Sequence, residues 1–198
     1  MISIKKCIYV LMLILFAISS ISAQEKKSDQ KENTKKASIL DRFVFGGNIA
    51  LQVGTVTLID ISPNVGLIIT PKILAGFGAS YEYYNDSYYS KFSSNIFGIR
   101  TFAEYIILSN IGKNLPVKAN FAIFSHLEYE ALNLDRDFSN KLSIDKVNRF
   151  WLNGLLIGGG IKQPVGKHNS FNILILFNVL ADSRTPYQNP MVRIGFYF

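Results

Sequence analysis

The chain has 198 residues, a single cysteine and a formal net charge of +7, and 48% of its residues are hydrophobic. This length suits one domain once a targeting segment is set aside. The positive surplus is mild and spread along the chain, which disfavours a nucleic-acid-binding protein. One cysteine cannot form an intramolecular disulfide or a cysteine-based metal site, so scaffolds of that kind are excluded.

Residues 1–23 have the layout of a cleavable secretory signal peptide. Near its start the segment has a pair of lysines, Lys5 and Lys6. The apolar run Cys7–Ile18 follows, and the small, mostly polar stretch Ser19–Ala23 ends the segment. The apolar run is shorter than the roughly 20 residues that a membrane-spanning helix needs, although an uncleaved anchor is the alternative. Cleavage would remove Cys7, so we expect no thiol in the mature chain.

Residues 24–42 are polar and rich in charge of both signs, with no apolar periodicity before Ile39. Such a composition favours a disordered segment. We therefore expect a disordered polar leader over 24–42 and one folded domain over 43–198. A nucleic-acid-binding tail is the alternative, but a secreted chain rarely meets nucleic acid.

Residues 43–198 alternate between apolar and polar side chains with a period of two, which predicts β-strands. Each run is near the roughly 9–11 residues of a tilted membrane strand. The predicted strands are Phe43–Gln52, Leu58–Ile69, Ile73–Tyr84, Asn95–Leu108, Val117–Glu130, Phe150–Gln163, Phe171–Leu180 and Pro190–Phe198. Pro63 within the second run predicts a bulge or an early strand end. Two further strands would arise if the connection 131–149 contains a hairpin.

The charged residues of these strands share one face of the alternation, and glycines accompany them there. These charges are Asp60, Glu82, Arg100, Glu104, Lys118, Glu128, Glu130, Lys162 and Arg193. A Lys or Arg facing lipid at mid-membrane costs about 2–4 kcal/mol, so we expect the charges to face inward. Glycine makes space for long side chains in a narrow interior. The predicted fold is all-β: a closed antiparallel up-and-down membrane β-barrel of about eight strands.

Buried charges persist only when they are paired, so the inward charges predict a network in the lumen. A hairpin centred near Ile111 would pair Glu104 with Lys118, and a rough register places Gly78 opposite Arg100. The expected members of the network are Asp60, Glu82, Arg100, Glu104, Lys118, His126, Glu128, Glu130 and Arg193.

His126, Glu128 and Glu130 share one face and are expected near the external mouth of the fifth strand. A histidine with two carboxylates could bind a metal or act as a general base. Their spacing along one strand, about 7 Å per step, favours a hydrogen-bonded lumen histidine instead. The familiar catalytic and nucleotide-binding motifs are absent. We therefore expect no enzyme activity, catalytic residue, metal site or cofactor.

The C-terminal segment Val192–Phe198 resembles the last strand of Gram-negative outer-membrane barrels, which alternates apolar residues and ends in an aromatic. In that family the insertion machinery recognises this strand. The resemblance implies an assembly signal at Phe196 and Phe198, with the barrel-assembly machinery and outer-membrane lipid as partners. The segment Ile59–Pro63 and the Tyr-rich loops look like the small barrels common in Bacteroidetes, which often have no assigned activity.

The sequence leaves several functions open. The first is a non-enzymatic outer-membrane barrel that serves envelope structure or binds a protein partner through its longer external loops. One loop is rich in aromatic residues that could form the contact surface: Tyr84, Tyr88, Tyr89 and Phe92. The alternatives are a lipid-modifying enzyme that uses His126 and nearby carboxylates, a narrow pore, and a soluble ligand-binding barrel.

Overall fold

The computed structural model describes residues 39–88, 91–111, 120–135, 138, 149–165, 169–180 and 182–198. Within these ranges eight antiparallel strands close into one barrel, in which each strand pairs with its neighbours in the chain and β8 returns to β1. The strands are β1 (Phe43–Gln52), β2 (Val56–Thr70), β3 (Ile73–Asp86), β4 (Phe92–Leu108), β5 (Ala122–Asp135), β6 (Arg149–Val165), β7 (Asn169–Asn178) and β8 (Met191–Tyr197). The predicted all-β, up-and-down closed barrel is confirmed.

The barrel has two unlike ends. We call the end with the β2–β3, β4–β5 and β6–β7 connections the turn end, and the opposite end the loop end. β1 starts at the turn end, where a single 3-10 turn, Ile39–Arg42, precedes it. The predicted signal peptide and most of the leader, residues 1–38, lie outside the described residues, as does most of the possible hairpin in 131–149.

No helix in the described ranges is both long enough and apolar enough to cross a membrane.

The strand bounds differ from prediction most at the loop end of β4 and at both ends of β5, which begins at Ala122 and not at Val117. β1 has the predicted bounds, whereas β4 begins three residues early at Phe92 and β5 continues five residues past Glu130 to Asp135. The hydrogen-bonded ladder continues there into segments rich in Asn and Ser. A polar composition predicts a loop when only the sequence is considered, but it does not prevent the backbones of two strands from pairing.

Pro63 neither ends nor bulges β2, so this expectation is wrong. The pairing of β2 with β3 keeps one register on both sides of the proline, and the only shift in it lies near Thr70. Proline removes one backbone donor but its fixed φ is compatible with an extended strand. On β1 it faces Gly47, which has no side chain to obstruct the ring. Two flanking ladders therefore keep the strand extended.

The alternation sorts side chains between the two surfaces of the barrel. Phe77 and Ile99 point outward and are 63% and 61% exposed, whereas Glu82 and Arg193 point inward and are fully buried. The interior is not wholly polar, because an apolar cluster occupies much of it. Members of this cluster include Leu58, Ile96, Phe124, Leu132, Leu134, Leu152, Leu156, Leu174, Leu176 and Met191. The charges therefore occupy a restricted zone of the lumen.

Gly160 marks a close approach between β6 and β7. A Cβ atom added there would lie 1.9 Å from the carbonyl oxygen of Ile173, which is backbone and cannot move aside as a side chain can. We expect Gly160→Ala to lower the free energy of unfolding by about 1–3 kcal/mol through overpacking. The urea midpoint of the folded barrel measures this effect.

Gly54 supplies the matched control, because a Cβ added in this loop position meets nothing within 4 Å. Gly54→Ala should leave the urea midpoint close to that of the unaltered chain. Equal midpoints for the two alanine variants would contradict the close approach of β6 to β7.

Candidate functional site

Arg100 on β4 is the centre of the buried charge network. Its Nη1 atom lies 3.0 Å from Asp60 Oδ2 and its Nη2 atom 2.8 Å from Glu82 Oε1. Its Nε atom lies 3.4 Å from Glu128 Oε1 and 3.3 Å from Glu130 Oε2. Carboxylates from three strands thus surround one planar guanidinium, the group best suited to several such contacts at once.

Arg193 on β8 contacts three of the same carboxylates from another side of the barrel. Its Nη1 atom lies 2.7 Å from Glu128 Oε1, its Nε atom 3.5 Å from Asp60 Oδ2 and its Nη2 atom 3.6 Å from Glu130 Oε2. The two arginines share their acids. A single network therefore links β2, β3, β4, β5 and β8 across the lumen.

Glycines lie beside these long side chains, and one of them makes space for a member of the network. Gly78 pairs with Arg100 across β3 and β4, as the rough register predicted. A Cβ added at Gly154 on β6 would lie 2.7 Å from Glu130 Oε1. An eight-stranded barrel has room for little more than its own side chains. A larger residue at Gly154 would therefore displace Glu130 from the charge network.

His126 lies between two carboxylates on the turn-end side of the arginines. Its Nδ1 atom is 3.4 Å from Glu104 Oε1 and its Nε2 atom is 3.2 Å from Glu128 Oε2. Its ring stacks on Phe102, with centroids 5.6 Å apart and planes 12° apart. The second oxygen of Glu104 accepts a hydrogen bond from Lys162 Nζ. His126 therefore bridges the arginine cluster to a Glu–Lys ion pair.

The expected pairing of Glu104 with Lys118 requires correction. Glu104 faces His126 in the β4–β5 register, eight residues beyond the expected partner, and its ion pair is with Lys162 on β6. The connection between Leu108 and Ala122 is longer than the tight turn that the prediction assumed, which displaces the register. Lys118 itself lies outside the described residues.

The depth assigned to the histidine triplet was also wrong. His126, Glu128 and Glu130 lie in the middle of the barrel and are at most 2% exposed. They were expected near the external mouth because the fifth strand was predicted to end at Glu130. β5 continues to Asp135, and this extension encloses all three side chains.

Tyr187, in the connection between β7 and β8, enters the lumen from the loop end. Its hydroxyl donates a hydrogen bond to Glu130, and it accepts one from Asn178 Nδ2 at 3.3 Å. Burial raises the pKa of the Tyr187 hydroxyl, and the nearby Glu130 carboxylate raises it further, so the group stays protonated as a donor. Tyr187 was not predicted from the sequence, where its one signal is an aromatic side chain within a polar loop.

The predicted aromatic contact surface is partly turned inward. Tyr84 and Phe92 have ring centroids 5.4 Å apart, and Phe138 packs edge-on against them at 4.7 and 5.1 Å. Tyr84, Phe92 and Phe138 therefore help to close the loop end. Tyr88 is 70% exposed, and Tyr89 lies outside the described residues.

The chemistry of this network is mutual neutralisation. Its acids are engaged by arginine, lysine, histidine or tyrosine groups of the same chain, at the distances given above. Among the residues that the structure describes, no three His, Cys, Asp or Glu side chains are arranged to hold a metal ion. The arrangement can cross-link six strands, β2 to β6 and β8, and fill part of the lumen. The outward Phe196 and Phe198 lie apart from it on the barrel wall.

No protein-family model matches this chain, and no curated protein matches it either.

Removal of the Arg100 guanidinium should destabilise the barrel strongly. Arg100→Met keeps most of the side-chain volume but leaves Asp60 and Glu82 with fewer compensating charges inside the lumen. Breaking a buried ion pair in this way costs about 3–5 kcal/mol. We expect a correspondingly lower urea midpoint, with partial recovery when Glu82→Gln is added.

Arg184→Met is the matched control, since it breaks an ion pair with Asp182 at the surface of the loop end. Hydrogen bonds from Arg184 lower the pKa of Asp182 to about 2, so the pair is intact at neutral pH. Exposed pairs contribute about 0–1 kcal/mol. If Arg100→Met cost no more than Arg184→Met, the network would have no role in stability.

Proposed function

We propose that this protein is an outer-membrane β-barrel without enzyme activity, whose lumen is filled by side chains that include paired charges and whose outer wall contacts lipid. The observation that carries the proposal is the inversion of polarity, since large apolar side chains are exposed on every strand while the charged network is buried. A soluble barrel has a mainly polar outer surface, whereas large apolar side chains cover the outer wall here. Lipid is the solvent that suits such a wall.

The height of the uncharged outer band supports this proposal. On β4 the outward residues from Phe97 to Ile107 carry no charge, and on β3 the same is true from Ile73 to Tyr83. Ten steps of about 3.3 Å, on a strand tilted by about 40°, cover roughly 25 Å. This matches the apolar band of roughly 25 Å in outer-membrane barrels.

Aromatic side chains mark both edges of the band. Towards the loop end, Tyr81 and Phe97 have ring centroids 5.5 Å apart, and the Tyr81 hydroxyl donates to Asn95 Oδ1 at 2.8 Å. At the turn end, Phe196 and Phe198 have centroids 6.1 Å apart. Amphipathic aromatic rings favour the boundary between lipid and water. The two girdles would hold the barrel at a fixed depth.

The barrel's surfaces and closed interior favour structural and binding roles. His126 and its neighbouring acids are enclosed by the barrel wall, which disfavours the lipid-enzyme alternative. Phe196 and Phe198 are exposed on the last strand, where the resemblance implies recognition by the barrel-assembly machinery. The connections at the loop end, which include exposed Tyr88, would provide the contact surface for a protein partner.

Cell fractionation tests the proposed location directly. The protein should appear in the outer-membrane fraction, require detergent for extraction and migrate differently on a gel before and after boiling. Heating unfolds a closed barrel that resists detergent, which accounts for the expected shift. Release into buffer without detergent would instead identify a soluble barrel.

Lysine substitutions on the outer wall test the lipid contact. Phe77 lies midway along the outward apolar run of β3, and Phe77→Lys should cost about 2–4 kcal/mol in lipid vesicles. Ser93→Lys is the control, because Ser93 is already polar and outward and lies beyond the outward apolar run of β4, which begins at Phe97. Urea midpoints in vesicles give both values. Equal midpoints for the two variants would argue against lipid contact at Phe77.

A further inference from the structure

The turn end of the barrel contains a cavity of about 170 Å³, which we call the vestibule. Apolar residues of the first four strands contribute to its wall: Val44, Ile68, Leu74 and Ile106. Deeper in the barrel it reaches Glu104, Lys162 and Tyr197. This volume is below the roughly 300–1,000 Å³ of sites for drug-sized ligands, so it suits a short ligand.

The polar groups of the vestibule are built into the barrel. Glu104 and Tyr197 are 2% and 3% exposed, and the Tyr197 hydroxyl donates to Glu104 Oε1 at 3.3 Å. Lys162 Nζ donates to the other oxygen of the same carboxylate. An apolar cavity with a few convergent polar groups is the usual form of a small-molecule site.

The charge of a ligand that suits the vestibule depends on whether Glu104 or Lys162 can make further polar contacts. Glu104 already contacts donors on Lys162, Tyr197 and His126. Lys162 contacts one carboxylate, and its ammonium otherwise lies over the rings of Phe124 and Tyr197, at 4.9 and 5.1 Å. A ring face is a weaker partner for an ammonium than an anion is. The vestibule is therefore suited to a negative group.

One further observation favours an anion in the vestibule. Lys72 also contributes to the lining, so a second cation lies near the opening.

We propose that the vestibule binds a small amphiphilic carboxylate, with its carboxylate on Lys162 and its apolar part against Val44, Leu74 and Ile106. The site uses the barrel geometry alone and does not depend on the location proposed above. A free short-chain acid and the carboxyl terminus of an apolar peptide share this chemistry. Hexanoate represents the first source and N-acetyl-leucine the second.

Calorimetric titration of the full chain tests the site, in lipid nanodiscs with empty nanodiscs as the blank, or in buffer if the chain is soluble without detergent. We expect hexanoate or N-acetyl-leucine to bind with a dissociation constant of about 1 mM or below, and the tighter of the two identifies the source. Acetate lacks the apolar part and hexylammonium has the wrong charge, so each should bind at least about tenfold more weakly. Failure of both carboxylates to bind would overturn the proposal.

Variants locate the binding within the vestibule. Lys162→Met should weaken carboxylate binding by about tenfold or more, because it removes a charged hydrogen bond. Val44→Phe should fill the cavity while leaving the Glu104–Lys162 pair in place. It therefore tests whether the ligand binds in the vestibule even if Lys162→Met does not fold. Arg184→Met, at the opposite end, is the matched control.

The gel shift on boiling shows which variants are folded before titration. Folded Val44→Phe protein that binds hexanoate as tightly as the unaltered chain would contradict the assignment. Loss of binding in both vestibule variants, with binding kept in Arg184→Met, would support it. Because nanodisc incorporation and the gel shift are recorded separately, a failure of the proposed location is distinguishable from a failure of the site.

Discussion

The ion pairs of Arg100 and Arg193 with shared carboxylates are the constraint on which the barrel depends. Two guanidiniums and four acids inside a narrow cylinder are costly to desolvate, and only mutual contact offsets that cost. The contacts given above bring Asp60, Glu128 and Glu130 within reach of both arginines. Once these charges are satisfied inward, the outer wall is free to be apolar all round.

The fold could be predicted because its signal is local. A period of two over most of the domain specifies strands, and the placement of the charges of the predicted strands on one face specifies which surface is buried. The inward placement of the charges followed from the same alternation, and the pairing of Gly78 with Arg100 agrees with the rough register expected for the third and fourth strands. The register of β4 against β5 could not be predicted in this way, because a long connection allows the two strands to pair in more than one register. Hence Glu104 was given the wrong partner.

Tertiary packing at the loop end was beyond prediction for a different reason. Tyr187, Tyr84 and Phe138 fill the barrel from connections and strand ends, where no periodicity indicates which way a side chain points. Pro63 shows the converse, since a local signal for a strand break was overridden by two flanking ladders. Sequence pattern thus determines the wall of this barrel, while the contents of its ends depend on three-dimensional packing.

Because Arg193 lies in the last strand, the charge network forms completely only when the whole barrel has been synthesised. The acids it neutralises, Glu128 among them, are contributed by strands that are synthesised earlier. Until β8 joins β1 and β7, these acids lack one of their two arginines and the lumen retains uncompensated negative charge. A chain truncated before its final strand therefore loses more than one strand's backbone pairing, because its interior can no longer be neutralised.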